Sequence, residues 1–161
     1  MTLATRLASV TQSHGVIYKG GNGRTMKAKC NGSDMFLTCL VTIYGETNDY
    51  DIDPAGAGEP VSGVIVCEYK PYKVNLAKDS DSKFDDNSDV GVYIPQMGDQ
   101  IYLTVATNQS ITKGNYVKVT TGGYIIQGTK GTSLGRLAPG QDAITAVSGT
   151  EQIALVEWGE N

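Results

Sequence analysis

Asn115-Tyr-Val-Lys-Val-Thr-Thr-Gly-Gly-Tyr-Ile-Ile-Gln127 decides the fold class. Val117 and Val119 alternate with Lys118 and Thr120, the two-residue period of a strand with one buried face. Gly122 and Gly123 can both take positive φ without a Cβ clash, which the right-handed twist of a tight hairpin demands. The stretch therefore reads as a β-hairpin with a two-residue turn at Gly122-Gly123. Outward from it, apolar residues come in short runs rich in Val, Ile, Thr and Tyr, bounded by Gly, Pro, Asn and Asp. The runs are Met35 to Tyr44, Val61 to Tyr69, Val90 to Ile94, Ile101 to Ala106, Tyr116 to Thr120, Tyr124 to Gln127, Ala143 to Val147 and Gln152 to Trp158. About eight short strands with little helix make an all-β fold, a small barrel or sandwich. Ile153-Ala-Leu-Val156 is apolar without interruption, so the last strand is expected to be central and covered on both faces. Leu3, Leu7 and Val10 have helical spacing, but so short a helix is marginal without something to pack on.

The chain has 161 residues, 40% of them apolar, with 20 Gly and 5 Pro, enough for one domain with a real core. Its longest apolar run, Met35 to Tyr44, is about half of what a membrane-spanning helix needs, and no membrane partner is expected. Charge is unevenly placed. Residues 1–33 carry Arg6, Lys19, Arg24, Lys27 and Lys29 and no acid, whereas residues 34–59 carry acids and no base. The contrast reads as an extended basic, Gly-rich N-terminal arm over residues 1–33 ahead of a β-barrel or sandwich domain over 34–161. Such an arm either folds against its acidic neighbour or reaches another molecule. Its charges are too dilute and too poor in aromatics for a nucleic-acid arm, so no nucleic-acid partner is expected. Glu46 to Pro60 and Lys70 to Ser88 read as long connections, the second bringing an acidic loop insertion near residues 70–90.

Little in the chain is equipped for catalysis. His14 is the sole imidazole and lies in the Gly-flanked leader, so a Ser or Cys nucleophile would lack a positioned base. Lys19-Gly-Gly-Asn-Gly-Arg-Thr25 departs from the phosphate-cradle pattern, with Tyr18 in place of the first Gly and Arg24 in place of the Lys. Paired carboxylates of the glycosidase type are judged by their separation in space, which spacing along the chain does not reveal. No cofactor and no metal are expected. The nearest approach to a cation site is the acidic loop, with Asp79, Asp81, Asp85, Asn87 and Asp89 as the oxygen donors. From Asp85 the donors fall at alternate positions, yet Val90 stands where the sharp turn wants Gly and Gln96 where a bidentate Glu is needed, so a solvated acidic loop is the expectation. Cys30, Cys39 and Cys67 are odd in number and show no disulfide-framework spacing. No secretory pattern opens the chain, and the thiols are expected to be buried and reduced in a protein made in a cytoplasm. Nine Tyr would suit a sugar-binding face, but Tyr is equally a good strand residue with a wet hydroxyl.

From Val90 onward the chain resembles the head-decoration, or capsid-cement, proteins of tailed phages, a family of small β-barrel virion proteins. The resemblance is carried by Val92-Tyr-Ile-Pro-Gln-Met-Gly-Asp-Gln-Ile-Tyr-Leu103, by Ser110-Ile-Thr-Lys-Gly-Asn-Tyr-Val-Lys-Val119 with Gly122-Gly123, by Leu134-Gly-Arg-Leu-Ala-Pro-Gly140 and by the closing Gln152 to Trp158. Pro60 to Tyr69 echoes it; the acidic insertion at 79–89 and the spacer from Gln141 to Thr150 depart from it. The resemblance implies a non-catalytic virion protein, made in the host cytoplasm, that binds the major capsid protein on the outer capsid surface. It further implies a homotrimer that clamps neighbouring subunits. On that footing Arg6, Lys19, Arg24, Lys27 and Lys29 are the capsid- or protomer-binding residues, in a leader that orders on contact. A tail or baseplate module and a carbohydrate-binding β-module are the rival readings.

Overall fold

The alternation seen in the hairpin recurs along the chain and builds two rings of strands. A computed structural model describes residues 16–19, 23–44, 50–68, 83–145 and 151–159, and among these the regular structure is all strand. In chain order the strands are β1 (Ile17–Lys19), β2 (Arg24–Cys30), β3 (Leu40–Tyr44), β4 (Tyr50–Pro54), β5 (Gly63–Glu68) and β6 (Asp89–Ile94). They continue with β7 (Gln100–Val105), β8 (Ser110–Ile111), β9 (Tyr116–Thr120), β10 (Tyr124–Gln127), β11 (Gly135–Leu137), β12 (Ile144–Thr145) and β13 (Gln152–Trp158). β2, β4, β3, β5 and β6 close into a barrel. β7, β10, β9, β11 and β13 make a second ring, because β13 pairs with β7 as well as with β11, and β1 is added to β7. β8 and β12 form a small separate ribbon. The fold is thus all-β and barrel-like, with thirteen strands among the described residues where eight runs were read.

The hairpin is present as β9–β10, with Val117 and Ile125 buried and Lys118 exposed. Its register pairs Thr120 with Tyr124, so the turn holds three residues, Thr121 to Gly123, and not the two expected. Both glycines take positive φ, 84° and 77°. β13 is central, flanked by β7 and β11.

The connection read over Glu46 to Pro60 holds a strand, β4, and two further expectations need correction. The first is the arm. β2 is a stave of the first barrel, pairing with β4 on one side and β6 on the other, and its Ala28 and Cys30 point into the core. Residues 24–30 therefore belong to the domain, and the boundary at residue 33 does not divide arm from barrel. Lysine at the outward positions hid a strand whose fully buried residues, Ala28 and Cys30, are small. Residues 1–15, with Arg6, His14 and the helical spacing of Leu3, Leu7 and Val10, lie outside the described residues, as do 45–49 and 69–82. The second correction concerns Met35 to Tyr44, of which only Leu40–Tyr44 is strand. Thr38, a buried β-branched residue, takes φ 75°, a strained left-handed conformation that turns the chain.

Met35 to Cys39 is apolar because it is buried between the rings. In the second ring β7 and β10 share one registered pair, Val105 with Ile125, and the segment packs beside that seam. Thr38 and Thr104 share a hydrogen bond between their hydroxyls at 2.5 Å. The Phe36 ring lies 4.8 Å from that of Tyr124. Leu40 N donates to Gly123 O at 3.0 Å, and Gly123 N donates to Ala55 O at 2.9 Å. A second polar link runs through Tyr93, whose hydroxyl accepts from Gly23 N at 3.0 Å and donates to buried Asp99 Oδ2 at 2.6 Å. One continuous apolar core consequently spans both rings.

Candidate functional site

The basic residues singled out in the sequence divide by position. Arg6 lies outside the described residues. Lys19 on β1 and Arg24 at the start of β2 are exposed. Lys27 and Lys29 alternate with Ala28 and Cys30 and point to the outer face of the first barrel. Lys27 Nζ sits 3.4 Å from Asp89 Oδ2 on β6. Lys29 stands in register between Asp51 on β4 and Asp89 on β6. Of the two fates open to a basic leader, these two lysines take the first, folding against their own acidic neighbours. The exposed Lys27 pair contributes about 0–1 kcal/mol, so it serves register and solubility more than stability.

The acidic loop is only partly described, since Asp79 and Asp81 fall outside. The remaining donors do not converge on a cation. Asp85 is exposed, Asp89 faces Lys27, and the Asp86 carboxylate accepts from Gly32 N at 2.7 Å and from Asn87 Nδ2 at 2.9 Å. Asn87 takes φ 62°, and its backbone N donates to Cys30 O at 2.9 Å. Asp86 and Asn87 thus help build the tight entry into β6. Among the described residues no group of three or more His, Cys, Asp or Glu could hold a metal ion. Cys30, Cys39 and Cys67 are all buried, and none is in a disulfide.

The surface that sequence reasoning missed lies on the second ring. Strand register sets Lys19, Gln100, Glu157, Arg136 and Tyr116 side by side across β1, β7, β13, β11 and β9. Glu157, 16% exposed, anchors the row, accepting from Arg136 Nη2 at 3.3 Å and from Gln100 Nε2 at 3.4 Å. One residue along, Tyr18, 58% exposed, meets Tyr102 edge-on with ring centroids 6.0 Å apart. Beside Arg136 a shallow groove of about 170 Å³ runs between Lys113-Gly114 and Leu137 to Gln141. The period-two alternation of β9, which sets Tyr116 outward beside buried Val117, carried part of the signal for this row, but the lateral pairing came from tertiary register. Chemically it is a row of polar side chains and tyrosines held together by the Glu157 carboxylate, which accepts from Arg136 and Gln100.

No protein-family model and no curated protein matches the chain. Its fold is similar to that of the head fiber gp8.5 N base of bacteriophage phi29, known from a crystal structure. The TM-score is 0.53 at 12% identity, and the match covers 86% of this chain and 99% of that one. At that identity, what the two share is the fold.

Proposed function

We propose that this chain is a structural protein of a phage virion that docks on the outer surface of an assembled capsid and stabilises it. The observation that carries the reading is the fold likeness to the phi29 head fiber N base over 86% of the chain. The resemblance of the segments from Val90 onward to head-decoration proteins points the same way. A ligand that binds only the assembled shell stabilises that shell by mass action, and many symmetric copies multiply a modest gain per site. In this reading the chain works by binding and not by catalysis, its partner is the major capsid protein, and it acts as a homotrimer. Lys19 and Arg24, exposed on β1 and β2, are the basic residues left to face a partner, because Lys27 and Lys29 lie against the barrel's own acids.

The test mixes the purified full chain with empty capsids of its virus. Co-sedimentation that saturates at a fixed copy number, with a raised capsid melting temperature, is the expected result. A chain that stays in the supernatant overturns the reading. Gold-labelled virions examined by electron microscopy separate a head location from a tail or baseplate one, and the mass of the free protein tests the trimer.

A further inference from the structure

Asn31-Gly32 leaves β2 under unusual constraint. Asn31 N donates to Ile52 O at 3.0 Å, and its side-chain Nδ2 donates to Asp53 Oδ1 at 3.1 Å, clipping the end of β2 to β4. Gly32 has φ 103°, and a Cβ there would meet nothing within 4 Å. Glycine is therefore present for backbone conformation and not for space. Gly32 N donates to Asp86 Oδ1 at 2.7 Å. The turn so places glycine directly after an asparagine, the pair that least hinders attack of the following amide nitrogen on the side-chain carbonyl carbon.

We propose that Asn31-Gly32 is a latent deamidation site which Asp53 and Asp86 hold closed in the folded chain. In the reaction Gly32 N gives its proton to solvent base and forms a bond to Asn31 Cγ. The Cγ–Nδ2 bond breaks, and ammonia leaves with a proton from solvent. Water then opens the cyclic imide at either carbonyl, leaving aspartate or isoaspartate at position 31. The sum is amide plus water giving carboxylate and ammonium, with no change of oxidation state.

The two acids oppose this in three ways. Cyclisation must break the short charge-assisted hydrogen bond from Gly32 N to Asp86. It must also swing the Asn31 amide away from Asp53. The nitrogen anion and the tetrahedral oxyanion both develop negative charge beside two carboxylates, the reverse of the stabilisation an oxyanion hole provides. The site therefore reacts when the end of β2 opens locally. The product sets a carboxylate against Asp53 where a donor stood, or lengthens the backbone by one methylene, and either loosens β2 from β4.

The experiment ages the full-length protein in mildly alkaline buffer and follows residue 31 by peptide mapping and mass spectrometry, with Asn22-Gly23 as an internal reference. Asn31 in the native chain is expected to react about tenfold more slowly than in the same chain unfolded in urea. Asp53→Asn and Asp86→Asn, which keep shape and remove charge, are each expected to raise the native rate severalfold without changing the unfolded rate. Added salt is expected to raise the native wild-type rate by screening the same charges, a readout that needs no variant. A native rate equal to the unfolded one overturns the proposal. So does a native rate indifferent to salt and to both substitutions in variants whose circular dichroism is unchanged.

Discussion

Gly123 joins the two rings through backbone alone. Its φ is 77°, and a Cβ on it would collide with Cys39 Sγ and lie 2.5 Å from Leu40 O. Gly123→Ala is expected to cost roughly 3 kcal/mol or more in urea unfolding, combining left-handed strain with displacement of the Met35 to Leu40 segment. Gly131→Ala is the control, with φ 94° and nothing near its Cβ, and is expected to cost about 1–2 kcal/mol. Cys39, packed against the same turn, gives the fold a pH dependence. Burial pushes its thiol up from 9.0 to about 12, outweighing the hydrogen bond with the Phe36 backbone. The unfolded chain releases that proton near pH 9, while the folded chain keeps it to about pH 12. Stability is therefore intact below pH 9 and falls through that window by about 1.4 kcal/mol per pH unit. Urea titrations of the wild type and Cys39→Ala on either side of pH 9 check this, because the variant lacks that component of the slope.

At the scale of elements, legibility followed burial pattern. β9 and β10 were readable from alternation about the glycine turn, and β13 from the uninterrupted apolar run Ile153 to Val156 at its centre. β2 and β4 were not. β2 carries Lys27 and Lys29 outward and small Ala28 and Cys30 inward, and β4 buries only Ile52 between Asp51 and Asp53. Each looks like polar connection until the other supplies the opposing charge and the shared barrel interior. Met35 to Cys39 failed in the opposite sense, being apolar enough for a strand yet buried as a turn between the rings. Since β2 is bonded on both edges, a chain lacking residues 1–33 is expected to lose the first barrel, with no cooperative urea transition by circular dichroism. A chain beginning at residue 16, which keeps β1 and β2, is expected to unfold cooperatively. Lys27→Ala, by contrast, is expected to shift the urea midpoint by less than about 1 kcal/mol, because its ion pair is exposed.

For the whole molecule, a single core running through both rings means that neither can open alone without exposing the Met35 to Leu40 segment. One transition is therefore expected in urea. Fluorescence of Trp158, the single tryptophan, reports the second ring, and labelling of Cys30 and Cys67 reports the first. Coincident midpoints are expected; two separated midpoints would show the rings to be independent. The row of polar side chains and tyrosines has a similar origin, since Lys19 and Tyr116 are far apart in the chain and are brought into one row by register across the intervening strands. By itself the sequence determined the all-β class, the Gly122-Gly123 hairpin and the central closing strand, because period-two alternation and glycine at left-handed positions are local properties. Only the tertiary structure decided that there are two rings, that the basic β2 closes one of them, and which side chains share a face, because strand pairing and the burial of a turn are set by contacts between residues distant in the chain.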